Sequence, residues 1–261
     1  MILSEVYLCE VEMHPLVSII MPTWNSAATI SESINSVINQ TYPHWELLIT
    51  DDCSTDGTMD ILHDLAAADL RIKIYKNETN SGAGIARNNS ISHAQGRFIA
   101  FLDSDDMWHA EKLEKQTRFM LDNGYTLTYT HYQKINQRGE ITGHIHPPTC
   151  VDYSELLKSN VIGCLTAMYD TAEIGKVYMP SIRKRQDMAL WLKILEKIDY
   201  AWCLPESLAL YREGHDSLSS NKIKVLASQW AFYRHYLQFN PVKSAWYFTY
   251  YVIRALKKHG I

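Results

Sequence analysis

The chain has 261 residues, of which 46% are apolar and 21% are charged, and its formal net charge at pH 7 is −4. A chain of this length can bury the core of one large domain, and this composition is too apolar for a disordered protein. Nucleic-acid binding normally requires a basic face, so the acidic balance predicts no nucleic-acid partner.

The cysteines, the first residues and the hydropathy all predict a protein of the cytoplasm. The five cysteines are scattered and form no C-x-x-C pair, which indicates neither a disulfide framework nor a zinc knuckle. The first fifteen residues carry three glutamates and no basic start, unlike a secretory signal. No run of about 18 apolar residues occurs, so we expect no membrane-spanning helix.

Strand and helix signals alternate along the first half of the chain. Short apolar runs predict strands at 17–21, 46–50, 71–75 and 98–102. Apolar residues at helical spacing predict helices at 30–38, 59–65 and 82–94. This alternation predicts a mainly parallel sheet with helices on both faces, and such sheets bind ligands beyond the carboxyl ends of their strands.

The second half has a different pattern, which we expect to complete the same sheet. Longer strands are predicted at 125–132 and 160–169, and a helix at 187–198. From about residue 222 onward the chain forms an aromatic, helical tail that is broken at Pro241. The tail mixes ten aromatic residues with lysine and arginine, which suits a bilayer interface. Packing on the catalytic domain, or a dimer face, fits the same pattern.

Aspartates follow two of the predicted strands. Asp51 and Asp52 end the second strand, and Asp103, Asp105 and Asp106 follow the fourth. Carboxylates this close repel one another unless a cation lies among them, and their oxygens suit Mg²⁺ or Mn²⁺. Such an ion would also neutralise the charge that develops on a diphosphate leaving group. Capping of a helix or turn by these aspartates is the alternative.

Four segments together resemble the family 2 inverting glycosyltransferases, which have the GT-A fold. They are VSIIMPTWN at 17–25, DDCSTDGT at 51–58, NSG with ARN at 80–88, and FLDSDDMW at 101–108. Their order and spacing match the family over about residues 15 to 110, and a weaker match continues to about 220. The resemblance implies a Rossmann-like GT-A catalytic domain over 1–220 and a separate tail over 221–261. The donor side is then 15–110, and the acceptor side is 111–220.

The resemblance also implies which residues bind the donor nucleotide. Pro22 and Thr23 would line the pocket, Asp51 would contact the base, and Asp52 would lie beside it. Arg87 would offer charge to a carboxylate or phosphate, although a surface ion pair is the simpler role. The full set of predicted nucleotide-binding residues is Pro22, Thr23, Asn25, Asp51, Asp52, Asn80, Gly82, Arg87, Asp103 and Arg212.

A metal site is implied by the D-x-D element. Asp105 would bind Mn²⁺ or Mg²⁺ directly, Asp103 would face the ribose and metal-bound water, and Asp106 is a second candidate ligand. The stretch from Arg212 onward resembles a late loop of the family, in which His215 lies one place beyond the usual histidine. A role for His215 toward metal or diphosphate is a hypothesis, with an idle solvated histidine as the alternative.

The resemblance places the catalytic base at Asp187, where the family has an acidic residue at the start of a helix. The preceding residue is Gln186, whereas glutamate is frequent there in the family. An exposed carboxylate has a pKa of about 4 and is a weak base, so positioning must contribute much of its effect. Helix capping is the alternative role for Asp187.

The resemblance, together with these residues, implies an inverting, metal-dependent hexosyltransferase. It would move a hexose or N-acetylhexosamine from a UDP-sugar to a glycan acceptor, carried on polyprenyl diphosphate, in bacterial surface polysaccharide synthesis such as O-antigen. We expect it in the cytoplasm, at the inner membrane leaflet, with a homodimer as a further possibility. The alternative is a non-catalytic protein of the same fold that binds nucleotide sugars or glycans.

Overall fold

The computed structural model describes residues 14–214 and 222–258, with only the backbone described at 222–224 and 257–258. Within these residues ten strands form one sheet. The strands are β1 Val17–Thr23, β2 Trp45–Asp51, β3 Ile72–Lys76, β4 Phe98–Phe101, β5 Met107–Trp108, β6 Leu127–Ile135, β7 Ile141–Ile145, β8 Cys150–Val151, β9 Met168–Asp170 and β10 Ala201–Arg212.

Helices connect most of these strands. They are α1 Ile30–Ile38, α2 Thr58–Ala68, α3 Ala83–His93, α4 Lys112–Asn123, α5 Tyr153–Lys158, α6 Thr171–Ile174, α7 Gln186–Leu195, α8 Lys222–Ala231 and α9 Pro241–Lys258, with a 3₁₀ turn at Cys164–Thr166 and a π-helical turn at Phe232–Tyr236. Local signals set several ends: Asp152 caps α5 by accepting the Glu155 N–H at 2.7 Å. Gly124 ends α4 in the left-handed conformation that glycine adopts without strain.

The strand order is β3-β2-β1-β4-β9-β6-β10-β5. The first four strands are parallel, with β1 between β2 and β4. Beyond β4 the sheet becomes mixed, because β9 is antiparallel to both β4 and β6 whereas β6 and β10 run parallel. The predicted α/β architecture, mixed but mainly parallel, is confirmed. It brings the carboxyl ends of β1, β2 and β4 to one edge.

The core lies on both faces of the sheet. Along β1, Ile19 and Met21 face one apolar cluster and Ile20 faces the other, as the two-residue period of a strand requires. Helices α1, α2 and α4 cover the first face, and α3, α5 and α7 cover the second. A strand covered on both faces is apolar throughout, which explains the unbroken runs in the sequence.

Two predicted strands on the acceptor side differ from the structure. The strand predicted at 160–169 is wrong, since residues 160–163 are irregular, a 3₁₀ turn follows, and only Met168–Asp170 pairs in the sheet. The run is apolar because Leu165, Ala167 and Met168 are all buried, not because the backbone is extended throughout. The strand predicted at 125–132 exists but is displaced, and it occupies Leu127–Ile135.

The aromatic tail packs on the sheet through one side only. Phe232 and Tyr233 are buried in the core cluster that contains α7, and the Tyr233 hydroxyl donates to the Leu157 carbonyl of α5. The other side of α9 leaves Val242 and Trp246 exposed. The break at Pro241 is confirmed, because α9 begins there. In the described part of the chain, none of the helices combines the length and apolarity needed to cross a bilayer.

Candidate active site

The loops after β1, β2 and β4 are joined to one another at the edge of the sheet. The Asp52 N–H donates to the Thr23 carbonyl at 2.8 Å, which links the first two strand ends. The Ser26 and Ser104 hydroxyls lie 2.8 Å apart, and the Thr29 hydroxyl donates to the Ser104 carbonyl. The three loops therefore form one continuous surface at this edge of the sheet.

Of the predicted nucleotide residues, Pro22 and Thr23 end β1, and Asn25 lies in the loop that follows it. Asn25 has a positive φ of 49°, which asparagine tolerates better than most residues, and its Oδ1 accepts the Thr55 N–H at 2.8 Å. The Asn25 N–H donates to the Ser54 hydroxyl. Pro22 and Thr23 are buried, and no residue that the structure describes bonds to the Thr23 hydroxyl. Asn25 thus fixes the β1 loop against the β2 loop.

Asp51 and Asp52 organise the second loop with their carboxylates. Asp51 is fully buried and accepts the Ser54 N–H at 3.0 Å. Asp52 accepts the Ser81 N–H at 2.9 Å and the Gly82 N–H at 2.7 Å. These donors begin α3, so one carboxylate holds the start of that helix. Direct contact of Asp51 and Asp52 with a nucleotide remains a prediction.

The segment before α3 reaches the same edge. Asn80 donates through Nδ2 to the Asp52 carbonyl at 3.0 Å. Gly82 has a φ of 90°, a conformation that residues with a Cβ rarely adopt. Asn80 and Gly82 therefore lie at the same edge of the sheet as the strand ends, and their place beneath a nucleotide stays a prediction.

Arg87 is a buried cation between the donor side and the acceptor side. Its Nη2 forms an ion pair with Asp103 Oδ1, and its Nη1 lies 3.5 Å from Gln186 Oε1. Burial disfavours the charged guanidinium, but the carboxylates of Asp103 and, more weakly, Asp187 raise the pKa of Arg87. Arg87 is therefore more than a surface ion pair, because it neutralises a carboxylate at the centre of the site.

The D-x-D carboxylates differ in their surroundings. Asp105 is open to solvent on one side, and the protein packed around its other side, together with the Asp103 charge, raises its pKa. Asp106 is buried, and its burial raises its pKa well above the ordinary range. Its Oδ1 accepts the Arg212 N–H at 2.9 Å. The pKa of both Asp105 and Asp106 is raised, so their charged forms are disfavoured. A nearby cation would favour those charged forms.

Arg212, at the end of β10, supports this acidic loop from below. Its Nε donates to the Asp105 carbonyl at 3.0 Å, and its guanidinium also pairs with Glu32 of α1. Arg212 is itself buried. The arginine therefore fixes the loop that carries Asp105, whereas contact with the nucleotide stays a prediction. His215 lies outside the described residues.

Asp103 and Asp105 fit a hard divalent cation by their chemistry. Among the described residues, no three or more His, Cys, Asp or Glu side chains form a group that could hold a metal ion by themselves. Mg²⁺ typically binds through one or two carboxylates together with substrate phosphates and water, so a pair of aspartates suffices when a diphosphate supplies other ligands. Burial and, after it, the Asp103 charge raise the pKa of Asp105, and a bound cation would offset both effects.

Asp187 and Asp103 line the same cavity. Its volume is about 580 Å³, and its walls come mainly from β6, β7, the segment before the 3₁₀ turn, and the first turn of α7. Asp187 lies in that first turn, and Arg185 before it has a φ of 63°, which lets the chain turn abruptly into the helix. Asn160 donates through Nδ2 to Asp187 Oδ2 at 2.8 Å.

Several residues of the cavity wall do not follow from the sequence. Tyr132 and His144 come from the paired strands β6 and β7, and Tyr211 comes from β10. Asn160 belongs to the segment for which a strand is predicted. These residues meet through long-range strand pairing, and no spacing in the sequence marks it.

Gln186 packs against the start of α3. A Cβ at Gly84 would lie 2.7 Å from its Cδ, so the absence of a side chain at Gly84 makes room for the amide. The amide donates through Nε2 to the Ile182 carbonyl at 2.5 Å, and its Oε1 faces Arg87. Gln186 thus contacts the donor side, beside the residue predicted as base.

Sequence comparisons identify relatives over nearly the whole chain. The model of the family Glycosyl transferase family 2 matches residues 18–201. The chain is 44% identical over 245 residues to TuaG of Bacillus subtilis, named as a teichuronic acid biosynthesis glycosyltransferase, covering 94% of this chain and 97% of TuaG. It is 42% identical over 246 residues to WfgD of Escherichia coli, named UDP-Glc:alpha-D-GlcNAc-diphosphoundecaprenol beta-1,3-glucosyltransferase, covering 94% of this chain and 95% of WfgD.

A solved structure shares the fold. Residues 1–349 of S. aureus TarS, in complex with UDP-GlcNAc, superpose with a TM-score of 0.70 at 23% identity. The match covers 92% of this chain and 72% of that chain. At this identity the likeness concerns the architecture, and it confirms the predicted GT-A type of sheet.

Proposed function

The chain belongs to glycosyl transferase family 2, and on that premise we propose that this glycosyltransferase moves a hexose or N-acetylhexosamine from a UDP-sugar to a polyprenyl-diphosphate-linked glycan. The observation that carries the proposal is a single cavity with Asp103 in one wall and Asp187 in another. The name of the Escherichia coli relative specifies a UDP-glucose donor and an acceptor on diphosphoundecaprenol, which supports both substrate classes.

Donor binding is assigned to the edge formed by the β1, β2 and β4 loops. Asp103 and Asp105 would hold Mn²⁺ or Mg²⁺ there, and Asp106 would support the loop from within. When bound, such an ion supplies Lewis-acid stabilisation of the charge on the departing diphosphate. Arg87 holds Asp103 in place and limits the repulsion between the aspartates.

The proposed reaction is a single displacement that inverts configuration. Asp187 Oδ1 accepts the proton of an acceptor hydroxyl while the hydroxyl oxygen forms a bond to the anomeric carbon. The bond between that carbon and the diphosphate oxygen breaks, and its electron pair leaves with UDP. Because attack comes from the face opposite the nucleotide, the new glycosidic bond has the inverted configuration.

Asp187→Asn tests the base directly. Removing a general base typically costs about 10²- to 10⁴-fold, so we expect transfer to fall by that factor while UDP binding is unchanged. Asp199→Asn, an exposed aspartate beyond the end of α7, is the matched control. Retained transfer by Asp187→Asn would exclude this base. Release of UDP by the wild type that no acceptor accelerates would instead favour a non-catalytic nucleotide-sugar-binding protein.

A second cavity suits a prenyl diphosphate beside the base. It measures about 410 Å³ and lies between the segment before α7 and the tail helices. Its walls include Ile182, Ala231 and Phe232, and Arg183 and Lys184 contribute positive charge. Apolar walls with cationic side chains match an isoprenoid chain and its phosphates, respectively. This arrangement supports a lipid-linked acceptor.

The exposed side of α9 is the surface that we assign to the membrane. Val242, Trp246, Ile253 and Leu256 are exposed and recur at helical spacing, and Lys243 lies beside them. An apolar stripe with neighbouring lysine suits the interface of an anionic bilayer. The tail over 221–261 would then hold the catalytic domain over 1–220 at the cytoplasmic leaflet.

Flotation with vesicles that contain anionic lipid tests this assignment. We expect the wild type to float and Trp246→Glu to remain in the dense fraction, with Tyr200→Glu as an exposed aromatic control away from the tail. Equal flotation of all three proteins would exclude the stripe. A change in mass in solution for Trp246→Glu alone, without a change in flotation, would assign the stripe to a homodimer instead.

A further inference from the structure

Asn160 is the only described side chain that hydrogen-bonds to the Asp187 carboxylate. Its Nδ2 lies 2.8 Å from Asp187 Oδ2, and both residues line the cavity that contains Asp103. The residue stands in the irregular segment between α5 and the 3₁₀ turn, far from α7 in sequence. The contact is therefore created by the fold and not by helix geometry.

The chemistry of the pair fixes the orientation of the amide. An ionised carboxylate only accepts hydrogen bonds, so the NH₂ group of Asn160 must face Asp187. Asn160 Oδ1 is then buried, and it receives no hydrogen bond from the residues that the structure describes. A buried acceptor without a partner costs free energy. The Asn160 amide therefore keeps its hydrogen bond to Asp187 although its own Oδ1 has no partner among the described residues.

The hydrogen bond leaves the two oxygens of Asp187 unequal. Oδ2 receives the amide N–H, whereas Oδ1 receives none from the described residues and keeps its lone pairs free. Without the amide, the carboxylate can rotate about its last torsion, which is broad and roughly two-fold. A fixed torsion presents one oxygen to the acceptor hydroxyl, which is what a base within hydrogen-bond reach requires.

We propose that Asn160 is a positioning residue that orients Asp187 Oδ1 toward the acceptor hydroxyl. The inference rests on the proposed function, because it takes Asp187 as the base. In this role Asn160 acts through Asp187, and its own side chain takes no proton during transfer. Its removal should therefore lower the rate of transfer to an acceptor while leaving capture of UDP intact.

Asn160→Ala is the first test, with Asn35→Ala, an exposed asparagine of α1, as the matched control. We expect kcat for transfer to fall by about 10- to 100-fold, the usual effect of losing a group that orients a functional side chain. KM for the acceptor, UDP affinity by calorimetry and donor hydrolysis without acceptor should stay within about twofold, as for any variant whose binding sites are intact. Equal losses in UDP affinity and kcat would overturn the proposal in favour of a structural role.

Asn160→Asp keeps the side-chain volume and tests the same contact if the alanine variant does not fold. Two carboxylates at this distance raise the pKa of one of them, so the acidic limb of the kcat/KM profile should move to higher pH. Arg87, whose pKa the Asp187 carboxylate raises, is unchanged in this variant. An unshifted profile would overturn the proposal. If Asp187→Asn retains transfer, the base itself is wrong, whereas loss in Asp187→Asn with normal Asn160→Ala rejects only the role of Asn160.

Discussion

The donor side and the acceptor side of the cavity are built by different means. On the donor side, carboxylates accept backbone N–H groups from loops close by in the fold, as Asp52 does from Ser81 and Gly82. On the acceptor side, Asp187 is held by a side chain from another segment, Asn160, at the start of a helix with a strained residue before it. The described contacts of the Asp52 carboxylate are thus largely with the backbone, whereas the Asp187 carboxylate depends on one particular side chain.

The largest effect that we expect on the donor side follows from replacing Asp105. Asp105→Ala removes the proposed direct ligand of the metal, which should lower metal affinity by at least the 10- to 100-fold that loss of an outer-sphere partner costs a metal site. We expect Mn²⁺ to lose its effect on UDP affinity in this variant, as measured by calorimetry. Asp122→Ala, an exposed aspartate of α4, is the control. UDP capture that is metal-independent in the wild type would remove the metal from the proposed mechanism.

A smaller effect should follow from replacing Asp52, which contributes to the stability of the fold as well as to the donor side. Asp52→Asn keeps the shape of the side chain but turns an NH₂ group toward the N–H groups of the α3 start. An unpaired buried donor costs about 1–3 kcal/mol, so we expect that loss in the free energy of unfolding, measured by urea denaturation, together with weaker UDP binding. For Asn160→Ala, by contrast, we expect UDP binding to be retained. Unchanged stability would show that the donor side is not held by this carboxylate.

The smallest effect concerns the tail. Arg185 Nη2 donates to the Tyr251 hydroxyl of α9 at 2.9 Å. Helix α9 therefore fixes the residue immediately before α7. A single hydrogen bond contributes about 0.5–1.5 kcal/mol, and Tyr251→Phe should lower kcat by about twofold to tenfold with a water-soluble acceptor. Tyr250→Phe, its neighbour on α9, should have no effect. Wild-type rates in both variants would show that this contact does not influence the acceptor side.

The sequence predicts the donor side well because its signals are local. Each parallel strand appears as a short apolar run, and the acidic residues that follow 46–50 and 98–102 lie where the strands end. The positions of Asp51 and Asp103 at one edge follow from the sheet alone.

The acceptor side is predicted less well because its contacts span long distances in the chain. The apolar run 160–169 has the composition of a strand, although tertiary packing buries it in an irregular path. Asn160 stands there with no motif around it, and only the packing of that segment against α7 places its amide beside Asp187. A single sequence contains no record of that packing.

The absent side chain at Gly84 links the two sides, with a consequence for sequence variation. A methyl group there would meet the amide of Gln186, which can swing aside, but only by releasing its contacts with Ile182 and Arg87. Positions 84 and 186 should therefore change together among relatives, a bulkier residue at the first accompanying a shorter one at the second. Variation at the start of helix α3 is thereby limited by Gln186, the neighbour of Asp187.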